Sequence, residues 1–268
     1  MSGRKLDGVA STAGQYRERN STADRALDIL GMFGETRLSV SGQEVAQTLG
    51  TARSTAYRYL QSLVGAGFLE EDPLGGFRLG PRVLELARLA RRRYGLSDVA
   101  LPVMNELRDR TQETVLLTRR AGGNAICLER AEADHPVRIS YERGSTLPVN
   151  AGASALVLLA WLPPQEARKL LEQELLQQFT SHSITDVDVL MSRLETIRAD
   201  GYCVSRGELD DNILGVAAPL RDATGAVAAA VSVAALERRV PDERLPDVVD
   251  AVLDAAARIS DKLALATG

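Results

Sequence analysis

The stretch from Ser41 to Leu79 constrains this chain more than any other. Ser41 and Glu44 stand in the S-x-x-E spacing of a capping box, which opens a short helix through Val45, Ala46 and Leu49. Gly50 breaks that helix, and a second is expected from about Ala52 to Val64 with Thr51 at its cap. Two short helices joined by a tight glycine-containing turn form a helix-turn-helix. In the second helix Ala56, Tyr59, Leu60 and Leu63 fall at i, i+3, i+4 and i+7 and face a core. Arg53, Ser54, Tyr57, Arg58 and Gln61 are left pointing outward. Gly65 and Gly67 stop the helix, and Phe68 to Glu71 and Gly76 to Leu79 read as strands around Pro73-Leu74-Gly75, a wing.

That outward face has the chemistry of a DNA reader. Arg53, Tyr57 and Gln61 lie at i, i+4 and i+8, one stripe along the helix. The major groove admits a helix, and an arginine can donate two bonds to guanine O6 and N7, which makes Arg53 the base-reading candidate. Tyr57 suits a thymine methyl or a phosphate. Arg58, Thr51, Ser54 and Gln43 suit phosphate contacts, which position without reading sequence. Arg78 on the wing suits the backbone or minor groove. The alternative is a solvated helix serving protein contacts, since fold alone does not fix function. The absence of Asp and Glu from Val45 to Val64 favours double-stranded DNA. Charge agrees: the chain carries +4 through Gly95 and −8 beyond it, within a net −4.

A length of 268 residues suits two domains. Residues 1–20 are polar and aperiodic and read as a flexible arm. A helix follows from Ser21, with Ser21 and Asp24 as a capping pair, Ala26, Leu27, Ile29, Leu30 and Phe33 as its buried face, and Gly34 as its end. Pro81 opens another that carries Val83, Leu84, Leu86, Ala87, Leu89 and Ala90 and ends in Arg91-Arg92-Arg93. It is too apolar for a solvated linker and too short for a domain, so a dimer-forming linker helix is expected over residues 81–96.

Beyond it the pattern is mixed. A helix (98–110) precedes strands at 114–118 and 125–132, with Ala121 to Asn124 as their turn and a possible strand at 137–141. Helices are expected at 151–161, 165–177, 186–200 and 245–265, and strands at 202–204, 213–220 and 226–234. Helices flanking a mostly antiparallel sheet make an α+β domain. The expected organisation is arm 1–20, winged helix-turn-helix 21–80, linker helix 81–96 and sensing domain 97–268.

In the strand at 226–234, alternation places Val227, Ala229, Val231 and Val233 on one face and Ala226, Ala228, Ala230, Ser232 and Ala234 on the other. The hairpin partner adds Gly215 and Ala217 at matching parity. Such a small face admits either a close-packed helix or a cavity. A buried Ser232 hydroxyl needs a partner, and a ligand in a cavity can be that partner. Asn150 to Ser154, Gly152 among them, open a helix whose free N–H groups favour an anion. A small organic acid with an apolar or aromatic body would suit Ile213 and Ala234.

Catalysis is not expected. His135, before a proline, and His182, in Ser-His-Ser, stand in no metal-ligand spacing and read as surface residues. Cys127 and Cys203 fall in expected strands, where a buried inert thiol is the default, so a cysteine redox enzyme is a poor alternative. Neither metal nor cofactor is expected. No apolar run approaches the ~20 residues of a membrane span, and the first residues carry no apolar signal core, so a cytoplasmic protein away from membranes is expected.

The chain resembles the IclR family of bacterial regulators from about Ser21 to Lys262. The stretches that carry the likeness are TADRALDILGMF, LSVSGQEVAQTLGTARSTAYRYLQSLVGAGFLEED, FRLGPRVLELA, ITDVDVLMSRLETIRADGYCVSRGEL and GVAAPLRDATGAVAAAVSV. The resemblance implies a winged-helix domain, a linker helix, a GAF-like effector-binding domain, and a homodimer or homotetramer. It implies a regulator, repression being the expected mode, whose operator affinity responds to a small-molecule effector. Residues that contact small oxo-acids in some members fall on Ala153, Ser154, Ser205, Ile213, Gly215, Ser232 and Ala234. Members often carry His-x-x-Gly-x-Gly-Lys at the effector-domain helix; here Asn150-Ala151-Gly152-Ala153-Ser154-Ala155-Leu156 lacks the histidine and lysine. The likeness therefore carries the fold and not the identity of the ligand.

Overall fold

The computed structural model describes residues 21–34, 36–136, 139, 141–174 and 176–266. The arm expected over residues 1–20 lies outside them. Two compact units divide the chain, 1–89 and 90–268.

The first unit holds helices α1 (Ser21–Leu30), α2 (Gly42–Leu49) and α3 (Arg53–Gly65) and strands β1 (Ser39–Val40), β2 (Leu69–Glu71) and β3 (Phe77–Leu79). The strands form an antiparallel sheet in the order β1-β3-β2. The capping box of α2 is complete: the Glu44 N–H donates to Ser41 Oγ at 3.2 Å and the Ser41 N–H to Glu44 Oε2 at 2.7 Å. Gly50 ends α2 at φ 60°, a left-handed conformation that glycine adopts without a Cβ penalty. Ile29, Val45, Leu49, Ala56, Leu60, Leu63, Leu69 and Phe77 make the core; Tyr59 is only partly buried. Helix α1 stops at Leu30, earlier than its apolar pattern implies, and Phe33 reaches the core from the turn that follows.

Thr51 does not cap α3. Ala52 takes that place in an extended conformation (φ −62°, ψ 146°) with no side-chain bond, and the Thr51 hydroxyl is buried without a hydrogen-bond partner. Helix α4 (Pro81–Tyr94) is continuous across the boundary between the units.

The second unit is built on a six-stranded antiparallel sheet in the order β6-β5-β4-β9-β8-β7. Its strands are β4 (Thr114–Ala121), β5 (Asn124–Ala131), β6 (Thr146–Leu147), β7 (Cys203–Arg206), β8 (Ile213–Arg221) and β9 (Val227–Leu236). One face packs on α5 (Leu96–Thr111) and α9 (Leu245–Ala266), through Val216, Leu214, Val231 and Val233. The other carries α6 (Ala153–Ala160), with α7 (Pro164–Gln173) and α8 (Val187–Asp200) packed about it. Of the possible strand at 137–141, residues 137, 138 and 140 lie outside the described residues, and Ile139 and Tyr141 belong to no strand.

The alternation expected for residues 226–234 holds from Ala229 to Ala234 and fails before that. The β8–β9 register shifts between Leu220 and Arg221, which pair with Ala229 and Val227. The extra residue of this bulge flips the parity. Val227 therefore packs on the α6 side, against the expectation, while Ala229 packs in the α5–α9 core as the alternation places it. The face of small residues is Ala230, Ser232 and Ala234, opposite Gly215 and Ala217.

Candidate functional site

On α3, Arg53, Ser54, Tyr57, Arg58 and Gln61 are all exposed, as is Gln43 on α2. Tyr57 is 37% exposed and anchored. Its ring packs edge-on to Phe77, 6.0 Å between centroids, and a Cβ at Gly42 would lie 2.4 Å from it. Gly42 is thus required by the close approach of α2 to the tyrosine. One turn back, the Arg53 guanidinium sits 5.8 Å from the Tyr57 centroid, within cation–π range, so the ring holds the arginine at the head of the helix.

Two expected DNA contacts are placed differently. The Thr51 hydroxyl is buried, so it does not present to a phosphate; its place was taken when Ala52 became the cap. Arg78 is half-exposed but its Nε donates at 2.7 Å to Oε1 of Glu70, its register partner across the wing. With Glu71 and Asp72 beside it, the wing carries more acid than base.

In the second unit all eight residues singled out from the sequence, Gly152, Ala153, Ser154, Ser205, Ile213, Gly215, Ser232 and Ala234, line one cavity of about 40 Å³. On this measure one water takes some 10–15 Å³, so the space holds roughly three waters, or part of a small organic molecule. Close packing and a cavity coexist here. A Cβ on Gly215 would come within 3.2 Å of the Ala153 Cβ, so the head of α6 is seated on β8, and the space opens beside that contact. The buried Ser232 hydroxyl has a protein partner: it accepts from Ser154 Oγ at 2.8 Å.

The sequence reading missed Leu116, Tyr141, Leu147, Leu209 and Asp210, which line the same space. Leu116 and Ala234 belong to an apolar cluster on this side of the sheet, with Tyr141 and Ile213 against it. The Tyr141 hydroxyl donates to Asp210 at 2.8 Å, and that bond together with burial raises the phenol pKa far above its ordinary value. Among the described residues, no cationic side chain lines the cavity.

Behind the wall formed by Gly152 and Ser205 lies Glu208, 4% exposed. Its Oε1 accepts from Arg193 of α8 at 2.6 Å, while Oε2 is buried with no hydrogen bond of ordinary geometry. Burial raises its pKa; the Arg193 charge, the Ser205 hydroxyl and the Gly152 N–H, which face the carboxylate, lower it by less.

The thiols are poorly suited to redox chemistry. Burial pushes Cys127 up to about 11, helped by the Glu129 charge, and burial pushes Cys203 up to about 12, so both are protonated and shielded near neutrality. His182 is exposed, as expected. His135 is not a plain surface residue: its Nε2 lies 2.6 Å from the Gln112 carbonyl and 3.7 Å from the buried Glu113. Among the described residues no group of three His, Cys, Asp or Glu gathers as metal ligands, and no helix is long and apolar enough to cross a membrane.

Comparison with known proteins joins the two regions. Residues 22–73 match the IclR helix-turn-helix domain, and residues 90–261 match the C-terminal domain of the bacterial transcriptional regulator IclR. The regulator KipR of Bacillus subtilis is 32% identical over 247 residues, covering 92% of this chain and 98% of the relative. The repressor AllR of Escherichia coli is 30% identical, covering 90% of each. A solved IclR transcriptional regulator from Alicyclobacillus acidocaldarius superposes with a TM-score of 0.77 at 26% identity, over 90% of this chain and 98% of that one. An IclR homologue from Microbacterium hydrocarbonoxydans, complexed with 4-hydroxybenzoate, does so with a TM-score of 0.75 at 28% identity, over 90% and 98%. These relatives are transcriptional regulators and not enzymes. From the wing to the last helix, then, sequence and fold agree that this chain belongs to the IclR family of DNA-binding transcriptional regulators.

Proposed function

We propose that this regulator is a repressor whose operator affinity is controlled by a small organic acid held in the cavity at the head of α6. The observation that carries the reading is convergence: eight residues chosen from separate stretches of sequence line one small cavity with apolar walls and three serine hydroxyls. The 4-hydroxybenzoate bound to the Microbacterium homologue supports an organic acid as the class. A ligand carboxylate has donors in the serines and in the N–H groups that open α6, and Leu116, Leu209 and Ile213 suit an apolar body.

DNA is read by α3, with Arg53 and Tyr57 on base edges and Gln43, Ser54, Arg58 and Gln61 on or near the backbone; Arg78 acts only if its bond to Glu70 opens. The linker over 81–96 joins the winged domain to the sensing domain. On α4, Leu86 is 38% and Leu89 48% exposed, three residues apart on one side of the helix, an apolar face that suits a second copy of the chain. A dimer presents two recognition helices to successive major grooves; two such dimers make the tetramer. The protein acts in the cytoplasm, where its operator is.

A thermal-shift screen of small carboxylates, from acetate to 4-hydroxybenzoate, tests the effector. A ligand at 100 times its Kd adds about 2.7 kcal/mol and should release operator DNA at the same concentration. Ile213→Trp, at the half-buried mouth, should abolish the shift and keep the melting temperature and operator binding. A shift that survives Ile213→Trp puts the ligand elsewhere.

A further inference from the structure

Helix α6 begins at Gly152, at φ 88°, with no side-chain cap. The exposed amide dipoles at such a helix head attract negative charge. Here a buried acid is already present: the Glu208 carboxyl faces Gly152 and Ser205, and its Oε2 makes no hydrogen bond of ordinary geometry. Those two groups also line the cavity. A ligand carboxylate entering the cavity therefore draws on the same donors that Glu208 faces, and it brings a second negative charge beside the first. Two carboxylates that share one set of donors in a buried space hold a proton between them.

Resting on the effector reading above, we propose that Glu208 couples the cavity to protons: an anionic ligand binds with uptake of one proton by Glu208. Glu208 is a positioning residue, acting through Gly152 and Ser205. Once protonated, it no longer competes for their N–H and O–H, and its own O–H becomes a donor. Its raised pKa in the ligand-free protein supports this, since the proton is then taken up at modest cost.

The charged groups around it are few. From α8 comes Arg193, which holds Oε1. From the loop before α8 comes His182, whose ring lies against Gly207. From the turn after β7 comes Asp210, exposed and accepting from Tyr141. Arg206 points to a different pair, Glu237 and Asp242. The described part of α6 carries no charged residue. His182 is a second titratable side chain on this wall, and the test must separate it from Glu208.

The sign is fixed. Uptake of one proton makes binding weaken as pH rises, by up to about tenfold per pH unit between the ligand-free and ligand-bound pKa values of Glu208. Binding of acetate, benzoate and 4-hydroxybenzoate, all ionised above pH 6, is measured by calorimetry from pH 6 to 8, with the matching primary amides as neutral controls. The expected result is a Kd that rises with pH for the carboxylates and stays level for the amides. Glu208→Gln, which mimics the neutral acid, should flatten the carboxylate profile and bind more tightly than the native protein at pH 8, whereas His182→Gln should keep the slope. If Glu208→Gln does not fold, the native protein still decides: heats in buffers of different ionisation enthalpy report the protons taken up. Carboxylate binding with a level Kd and no proton uptake overturns the role of Glu208 and leaves the effector site standing. No binding by any probe at any pH overturns the effector reading, and this inference with it.

Discussion

Helices α3 and α6 begin in the same way and are used in opposite ways. Neither has a side-chain cap: the N-cap residue is Ala52 in one and Gly152 in the other. At α3 the head faces outward, flanked by exposed Arg53 and Ser54, with no acid from Val45 to Val64. Its open N–H groups are accessible to solvent and, on the proposed reading, to a phosphate. At α6 the whole helix is buried, water is scarce, and a resident acid, Glu208, faces the helix head. An exposed helix head can be left open to water at little cost, whereas an enclosed one needs acceptors within the protein. On the readings proposed above, the outer site would be governed by long-range charge and salt, and the inner one by displacement and protons.

The largest effect tests whether the outer site works alone or in duplicate. Leu86→Glu with Leu89→Glu puts charge on the apolar face of α4. If that face pairs two copies, the change should leave a monomer by sedimentation and lower operator affinity by about 100-fold or more, since linking two binding modules gives gains of roughly 10²–10⁴. The melting of the second unit should stay in place. An unchanged sedimentation coefficient together with unchanged affinity removes α4 from the assembly.

Next in size is Arg53→Ala, which strips the open head of its cation. Specific binding should weaken by about 1–3 kcal/mol and preference should relax at one base position in a site-selection experiment. A uniform loss over all sequences, with a shallower salt dependence, turns Arg53 into a phosphate contact and makes the outer site purely electrostatic.

How much of this contrast could be read from the sequence depends on what each feature is made of. The α2–α3 pair was legible because a capping box, a left-handed glycine and helical periodicity are local. The small face of β9 was legible by parity from Ala230 on, and lost before it because a bulge leaves no mark in an alternation of alanines and valines. The cavity residues came partly from parity and partly from family likeness. Tyr141, Leu147, Leu209 and Asp210 come from loops and an edge strand that only tertiary packing gathers. Glu208 was illegible for a sharper reason. In Gly207-Glu208-Leu209-Asp210-Asp211 an acid reads as part of a solvated turn, and only the fold reveals that this one is buried while Asp210 and Asp211 are exposed. The Arg78–Glu70 pair, by contrast, follows from wing register and could have been found once both strands were placed.

The smallest effect is the sharpest check on what each helix head asks of its neighbours. Both have a buried hydroxyl nearby, Thr51 before α3 and Ser154 in the first turn of α6. Ser154 is bonded to Ser232, whereas Thr51 Oγ1 has no partner. A buried donor left unpaired costs about 1–3 kcal/mol, and an apolar group of the same shape removes that cost. Valine matches threonine in shape and keeps its branching at Cβ, so Thr51→Val should stabilise the first unit by about 1 kcal/mol, read as a rise in the chemical-denaturation midpoint with an unchanged slope. Operator affinity should not move, because the hydroxyl faces the interior and the outer site does not depend on it. The same logic applied to Ser154→Ala gives the opposite sign, since Ser232 is then left without its partner. If Thr51→Val instead lowers operator affinity with no gain in stability, the hydroxyl turns outward on DNA, and the head of α3 uses a side chain as well as its amides.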